Sequence, residues 1–414
     1  MPDVTASTPA HAPVACIVGS SAVRLWGLDG GERLRRQARA VGLGIVDSAA
    51  SPPTGWVLLA RADYLFEERT LRDLAARPGT LLLAVADDGA SVPVAAHVPA
   101  AAMAPARAVL EGVAAPHTLA DVALATPATL SPAFVAALLK SAPPLLLPVR
   151  ATNAAALERH LFAGSYKGVT DLVTKWVWPA PARAVTRWCA RLGIGPNAVT
   201  AMSLVLALAA MALFARGQFG AGLLAGWIMT FLDTVDGKLA RVTVTSTQFG
   251  HLFDHVIDVV HPPLWYLAWA YGVGGDLAHL WTLAPQVIAI LAGYISGRLI
   301  ESAFQYGLAG FSMFTWRPLD SYVRLITARR NPNLLLLTAA ALANVHQLGL
   351  TAVAYWTVAS TVFLAVRLLQ AAWVRVRSGH LRSWLAMVDR DATPPPAYAR
   401  PFVAAGDAPA QLVP

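Results

Sequence analysis

The chain has little charge and almost no cysteine. Of its 414 residues only 14% are charged, against roughly a quarter in an ordinary soluble domain. Mean hydropathy is +0.52 and 56% of the residues are hydrophobic, which excludes both a disordered chain and a simple soluble globule. Cys16 and Cys189 provide neither a disulfide framework nor a CxxC metal pair. The opening residues, MPDVTASTPAHAP, lack the positive start and apolar run of a cleavable signal peptide. Acids are the scarcer sign, 24 against 32 lysines and arginines, for a net charge of +8. On a soluble protein that excess would suggest nucleic acid. On an apolar chain it marks the cytoplasmic rims of membrane helices, and no nucleic-acid partner is expected.

The residues that are present divide near position 150. Residues 1–150 alternate short apolar runs, VACIV (14–18), GWVLLA (55–60) and TLLLAVA (80–86), with helix-like segments 31–43 and 68–77. That pattern predicts a soluble α/β domain with a largely parallel sheet. From 197 to 375 six apolar stretches follow, at 198–216, 219–235, 255–273, 282–303, 333–348 and 350–373, each near the ~20 residues of a membrane-spanning helix. Every basic cluster (Lys167 to Arg191, Lys238 with Arg241, Arg317 to Arg330, Arg375 to Arg390) then falls on one side of the membrane, while the alternate connections hold only Arg216. This predicts a multi-pass inner-membrane protein with both termini cytoplasmic. Residues 151–196 read as a linker with interfacial amphipathic helices. There Trp176, Trp178 and Trp188 mix with cations, and Pro179 and Pro181 break the segment in two. Residues 376–414 read as a cytoplasmic tail, disordered from 391.

The segment FLDTVDGKLARVTVTSTQFGHLFDHVID (231–258) carries the chemistry. Asp233 and Asp236 share one helix face, as do Asp254 and Asp258. The residues between them make a tight hairpin that lets the pairs face each other at the cytoplasmic ends of the second and third spans. Lys238 and Arg241 are too few to neutralise four converging carboxylates, so a divalent cation is expected. All-oxygen ligands suit Mg²⁺ or Mn²⁺, two ions held by bridging carboxylates being the arrangement expected, and such ions commonly act on phosphates. A competing reading is an ion-coupled membrane transporter using the same acids. Transporters usually spread such groups over several helices, whereas here they crowd one hairpin. His251 and His255 read as solvated or helix-packed. Arg298 lies within the fourth apolar run and needs either Glu301 or a bound anion. Arg317, Arg324, Arg329 and Arg330 read as positive-inside anchors or as a grip on a phosphorylated acceptor.

The pattern Asp233-x2-Asp236-Gly237-x2-Ala240-Arg241-x8-Gly250-x3-Asp254-x3-Asp258 resembles the signature of the CDP-alcohol phosphotransferase (phosphatidyltransferase) family at every fixed position. Eight fixed residues match by chance on the order of once in a billion starts. The resemblance covers about 165–375. It implies a six-span membrane enzyme, commonly a homodimer among membrane lipids. Such an enzyme transfers a substituted phosphoryl group from a CDP-alcohol donor to a hydroxyl acceptor and releases CMP in phospholipid or phosphodiester synthesis. It implies Asp233, Asp236 and Asp254 as metal ligands, with Asp258 as a metal neighbour and the general base. Gly237, Ala240, Arg241 and Gly250 would shape the CDP pocket. Asn197 and Thr200, in GPNAVT, resemble the PNxxT element opening the family's first span; Pro196 and Asn197 serve equally as helix caps.

The whole arrangement, with GVTDLVTK (168–175) as the linking element, resembles fused cytidylyltransferase–phosphotransferases of inositol-phosphate metabolism. An active nucleotidyltransferase of that kind opens with a GxGxR-type loop and a following lysine. The corresponding VGSSAVRLWGLDG (18–30) has neither, and Asp63 alone reads as a turn acid. The first half is therefore nucleotidyltransferase-like but degenerate, a scaffold or a regulatory or acceptor-binding module.

Overall fold

A computed structural model of the chain describes residues 14–46, 55–86, 89–388 and 396–403. Contacts divide it into two units. One holds the residues up to Ala133 together with Ala142–Leu161, and the other holds Phe134–Ser141 together with Phe162–Ala405.

The first unit is a sheet covered on both faces. Its strands are β1 (Val14–Val18), β2 (Gly44–Ile45), β3 (Trp56–Arg61), β4 (Tyr64–Phe66), β5 (Thr80–Val85), β6 (Ser91–Pro99) and β7 (Ala123–Ala125), with helices α1 (Gly30–Ala40), α2 (Glu68–Ala75), α3 (Met103–Leu110) and α4 (Pro127–Leu130). The main sheet runs β2-β1-β3-β6-β5-β7. Strand alternation explains the layering. Leu58 and Ala60 of β3 face Leu34 of α1 and Leu71 and Leu74 of α2, while Val57 and Leu59 face Ala106, Val109 and Leu110 of α3. The sheet is mixed rather than largely parallel, because β6 runs antiparallel to both β3 and β5. Pro93 in β6 lacks a ladder N–H. It lies where the register with β5 shifts between Leu82 and Leu83, beyond the last β3 pair, Ala60 with Ala95.

The β1–α1 loop is filled by its own residues. Leu25 and Leu28 exchange backbone hydrogen bonds of 2.9 and 3.2 Å. Trp26, buried and left-handed at φ 53°, donates its backbone N–H to Glu158 Oε1 and its indole N–H to Glu158 O. A Cβ on Gly30 would lie 1.8 Å from Ala62 O, so only glycine lets α1 start this close to the end of β3. Asp63 accepts from Nε and Nη2 of Arg61, at 3.0 and 2.7 Å. Strand β10 (Leu146–Pro148) pairs with β4, and α5 (Ala154–Gly164) follows; in the second unit, β8 (Phe134–Val135) and β9 (Lys140–Ser141) form a hairpin.

The second unit is helical. A π-helix (Val173–Val177) leads into α6 (Pro179–Leu192). The two prolines sit in the first turn of α6, where the missing N–H costs nothing, so they start that helix rather than interrupt it. The long helices are α7 (Pro196–Ala215), α8 (Phe219–Val242), α9 (Gln248–Gly274), α11 (Ala284–Ser302), α13 (Arg330–Leu342) and α14 (His346–Ser378). Shorter α10 (Leu277–Thr282), α12 (Pro318–Ile326) and α15 (Trp384–Met387) lie among them. Five of the six predicted apolar stretches lie largely in single helices, α7, α8, α9, α11 and α14, but the fifth, 333–348, is divided, because α13 ends at Leu342 and α14 begins at His346. Among the described residues three are long and apolar enough to cross a membrane: α7, α11 with its π-helical continuation to Ala309, and α14. Helices α8 and α9 carry the acids, and α13 at 13 residues rises only ~20 Å. In the apolar core three polar groups find donors or acceptors on neighbouring helices. Trp265 Nε1 donates to Ala207 O, Trp269 Nε1 to His346 O, and Asn333 Nδ2 to Tyr266 Oη.

The predicted disorder from 391 fails for residues 396–403; residues 391–395 and 404–414 lie outside the described residues. Ala399, Phe402 and Val403 are buried with Phe314, Trp316, Leu325 and Trp384. The Phe402 ring meets Tyr322 edge-on at 5.0 Å and lies 5.1 Å from Lys175 Nζ. Apolar side chains spaced three and four apart in YARPFV have a face to bury, which the proline run before them disguised.

Candidate active site

Helices α8 and α9 follow one another across residues 243–247, but the hairpin is open rather than tight, because α7 packs against both; both helices also run further than the apolar stretches. The acids therefore lie inside the helices, not at their ends. Thr247 caps α9, accepting from Gly250 N at 3.0 Å. One carboxylate oxygen each of Asp233, Asp254 and Asp258 lies within 4.8 Å of the other two. Asp236 is turned aside. It accepts from Thr200 Oγ1 at 2.6 Å and from Gly237 N. The structure thus gathers three of the four acids, and Thr200 of α7 holds the fourth.

The cation inside this cluster is Arg330, one of the four arginines expected to anchor the chain or to grip an acceptor's phosphate. From the first turn of α13 it pairs with Asp233 and with Asp258, across 97 and 72 residues of chain. Glu301, an expected partner for Arg298, pairs with Arg329 instead. Arg298 lies over the Tyr294 ring, 5.4 Å from its centre. Lys238 sits 3.9 Å from the Tyr166 ring centre.

Two cavities meet at the hairpin. The smaller, about 160 Å³, is lined by Asn197, Thr200, Gly237, Ala240, Arg241 and Gly250, together with Asp236 and Asp254. Every residue carried over for the CDP pocket therefore lines one hollow. Its closeness to the chain depends on glycine: a Cβ on Gly250 would stand 2.7 Å from Asn197 Oδ1. The larger cavity, about 320 Å³, is lined by Asp233, Asp254 and Asp258 on one side. Its seven lysines and arginines (Lys167, Lys238, Arg241, Arg298, Arg324, Arg329 and Arg330) exceed its five acids, the remaining two being Asp171 and Glu301. His251 lines both, and Asp254 is the carboxylate common to them.

The crowding of cations is felt outside the long helices. Burial, and then repulsion from Arg329, brings Arg324 down to about 10. Burial, then Arg241, Arg324 and Arg329, lowers Lys167. Burial alone would raise Asp171, but Arg324 and hydrogen bonds from Thr174 and Asn331 outweigh it and hold the carboxyl below its usual range. Asn331, next to Arg330, donates to Asp171 Oδ1 at 3.0 Å, so the linking element 168–175 is fastened to the start of α13.

As a donor set, the three gathered carboxylates offer hard oxygens within reach of a common ion. They fit Mg²⁺ or Mn²⁺.

Residues 194–302 match the family model for CDP-alcohol phosphatidyltransferase. The relatives narrow the resemblance. An archaetidylinositol phosphate synthase of Pyrococcus horikoshii is 35% identical over 79 residues, 19% of this chain and 42% of the relative. A phosphatidylinositol phosphate synthase of Mycobacteroides abscessus is 29% identical over 120 residues, 28% of this chain and 54% of the relative. The chain thus spans about half the length of the curated relatives it matches. Among solved structures, Mycobacterium tuberculosis phosphatidylinositol phosphate synthase with CDP-DAG bound is 23% identical. That comparison covers 46% of this chain and 93% of that one, with a TM-score of 0.34.

Proposed function

We propose that the helical unit transfers a substituted phosphoryl group from a CDP-alcohol to a hydroxyl of a phosphorylated polyol and releases CMP, in the inner membrane, as a step of phospholipid synthesis. The observation that carries this reading is the pair of cavities sharing Asp254: one lined by the signature residues, the other cationic. A cationic hollow beside a carboxylate cluster suits an acceptor that brings its own phosphate. The two relatives' names, archaetidylinositol phosphate and phosphatidylinositol phosphate synthase, point to inositol phosphate as the acceptor to try first.

Asn197, Gly237, Ala240, Arg241 and Gly250 hold the cytidine diphosphate, with Arg241 forking onto a phosphate. Thr200 acts through Asp236, keeping its carboxylate in place. Asp233, Asp254 and Asp258, with Asp236 beside them, hold Mg²⁺ or Mn²⁺, as two ions. When bound, the metal supplies charge neutralisation on the pyrophosphate and on departing CMP. Asp258, steadied by Arg330, accepts the acceptor's hydroxyl proton. The oxygen forms its bond to the donor-side phosphorus as the bond to CMP breaks. Lys167, Arg298 and Arg324 orient the acceptor's phosphate. The helical unit crosses the membrane with the site and both termini cytoplasmic, an even number of crossings keeping the basic clusters on one side. The protein works as a homodimer, and the α/β unit, its β1–α1 loop filled by Trp26, is a scaffold.

The test is CMP release by the purified chain from CDP-diacylglycerol and inositol 1-phosphate. Activity should vanish with EDTA and return with Mg²⁺ or Mn²⁺. Ion flux through reconstituted vesicles without CMP formation would establish transport instead.

A further inference from the structure

Helix α9 runs unbroken from Gln248 to Gly274 although Pro262 and Pro263 lie inside it. A proline has no N–H to give the carbonyl four residues earlier. The carbonyls deprived here are those of Asp258 and Val259, one of them belonging to the proposed base. An unmet carbonyl near the membrane is costly, and these two share a single donor from another helix. The Tyr294 hydroxyl on α11 lies 3.3 Å from Asp258 O and 3.1 Å from Val259 O, as donor. The other end of the same residue faces the acceptor cavity, where Arg298 lies over its ring at a distance suited to a cation–π contact. Tyr294 itself lines that cavity.

We propose that Tyr294 is a two-handed positioning residue: its hydroxyl fixes the backbone of Asp258 at the proline break, and its ring seats Arg298 for the acceptor's phosphate. This rests on the reading of Asp258 and Arg298 given above. The hydroxyl sets the placement of the base and so belongs to kcat. The ring sets the placement of a binding cation and so belongs to the acceptor KM.

The two roles separate in two variants of the full-length protein, assayed with CDP-diacylglycerol and inositol 1-phosphate. Tyr294→Phe keeps the ring and should lower kcat about ten-fold with acceptor KM within two-fold. Tyr294→Leu should show the same fall in kcat and also raise acceptor KM about five-fold, matching Arg298→Ala. Without substrate, amide hydrogen exchange over 257–266 should quicken in Tyr294→Phe. Unchanged exchange there, or kcat unchanged in Tyr294→Phe while Asp258→Asn is inactive, overturns the tether and leaves the reading of the site standing. Equal KM values in the two Tyr294 variants overturn the ring's role. Full activity of Asp258→Asn overturns the assignment of the base and the tether with it.

Discussion

The two units handle charge in opposite ways. In the α/β unit acids and bases are paired off close in sequence: Glu32 with Arg36, Arg61 with Asp63, Glu67 with Arg69, Glu68 with Arg72. Each pair closes on itself and leaves little field behind. In the helical unit carboxylates gather on one hairpin, and cations arrive from three other elements. Pairing there is long-range, Arg330 with Asp233 and Asp258 and Arg329 with Glu301, and around the larger cavity the bases outnumber the acids.

Substitutions sharpen that contrast, and the largest effect belongs to the gathered acids. Asp258→Asn should lower the rate of CMP release by at least about a thousand-fold, in the range of a lost general base, whereas Asp63→Asn should leave it within two-fold. Equal losses from the two would dissolve the comparison. Next come the gathered cations. Arg324→Ala should raise the KM for inositol 1-phosphate about twenty-fold, the size of one lost charge-assisted contact, with the KM for CDP-diacylglycerol little moved. Steady-state kinetics with each substrate varied in turn decides it. Smaller still is Gly250→Ala, whose methyl must displace the Asn197 side chain. A several-fold rise in donor KM is expected, with acceptor KM unchanged.

The weakest effect lies in the α/β unit. His97 is buried, with Nδ1 3.0 Å from Leu74 O, and burial holds its pKa below the usual value despite that hydrogen bond. Below about pH 6.5 the unfolded chain takes up a proton that the folded ring resists. Stability should therefore fall as pH drops through this range, and His97→Gln should flatten the slope. Amide exchange of β5 and β6 in the full chain, followed between pH 7 and 5, measures it.

Much of the site was legible because its acids are local. Spacings of three and four put Asp233 with Asp236 and Asp254 with Asp258, and a short turn brings the pairs together. What could not be read depended on distance. Nothing near Arg330 in sequence announces that it reaches Asp233 and Asp258, and an arginine in a cytoplasmic loop looks like any other anchor. Asp236 was grouped with its neighbours because spacing gives a helix face but not the rotamer that Thr200 selects. Runs of alternating apolar character disclosed the strands of the α/β unit, but not that β6 runs against its neighbours, since strand direction leaves no mark on hydrophobic period.

Phe402 wedges against Tyr322 and Lys175, beside the elements that bear Arg324 and Asp171. During synthesis those elements reach the membrane long before residue 402 leaves the ribosome. The helices before it can thus assemble while this wall is still open, and the contacts of Tyr322 and Lys175 close only once residue 402 has emerged.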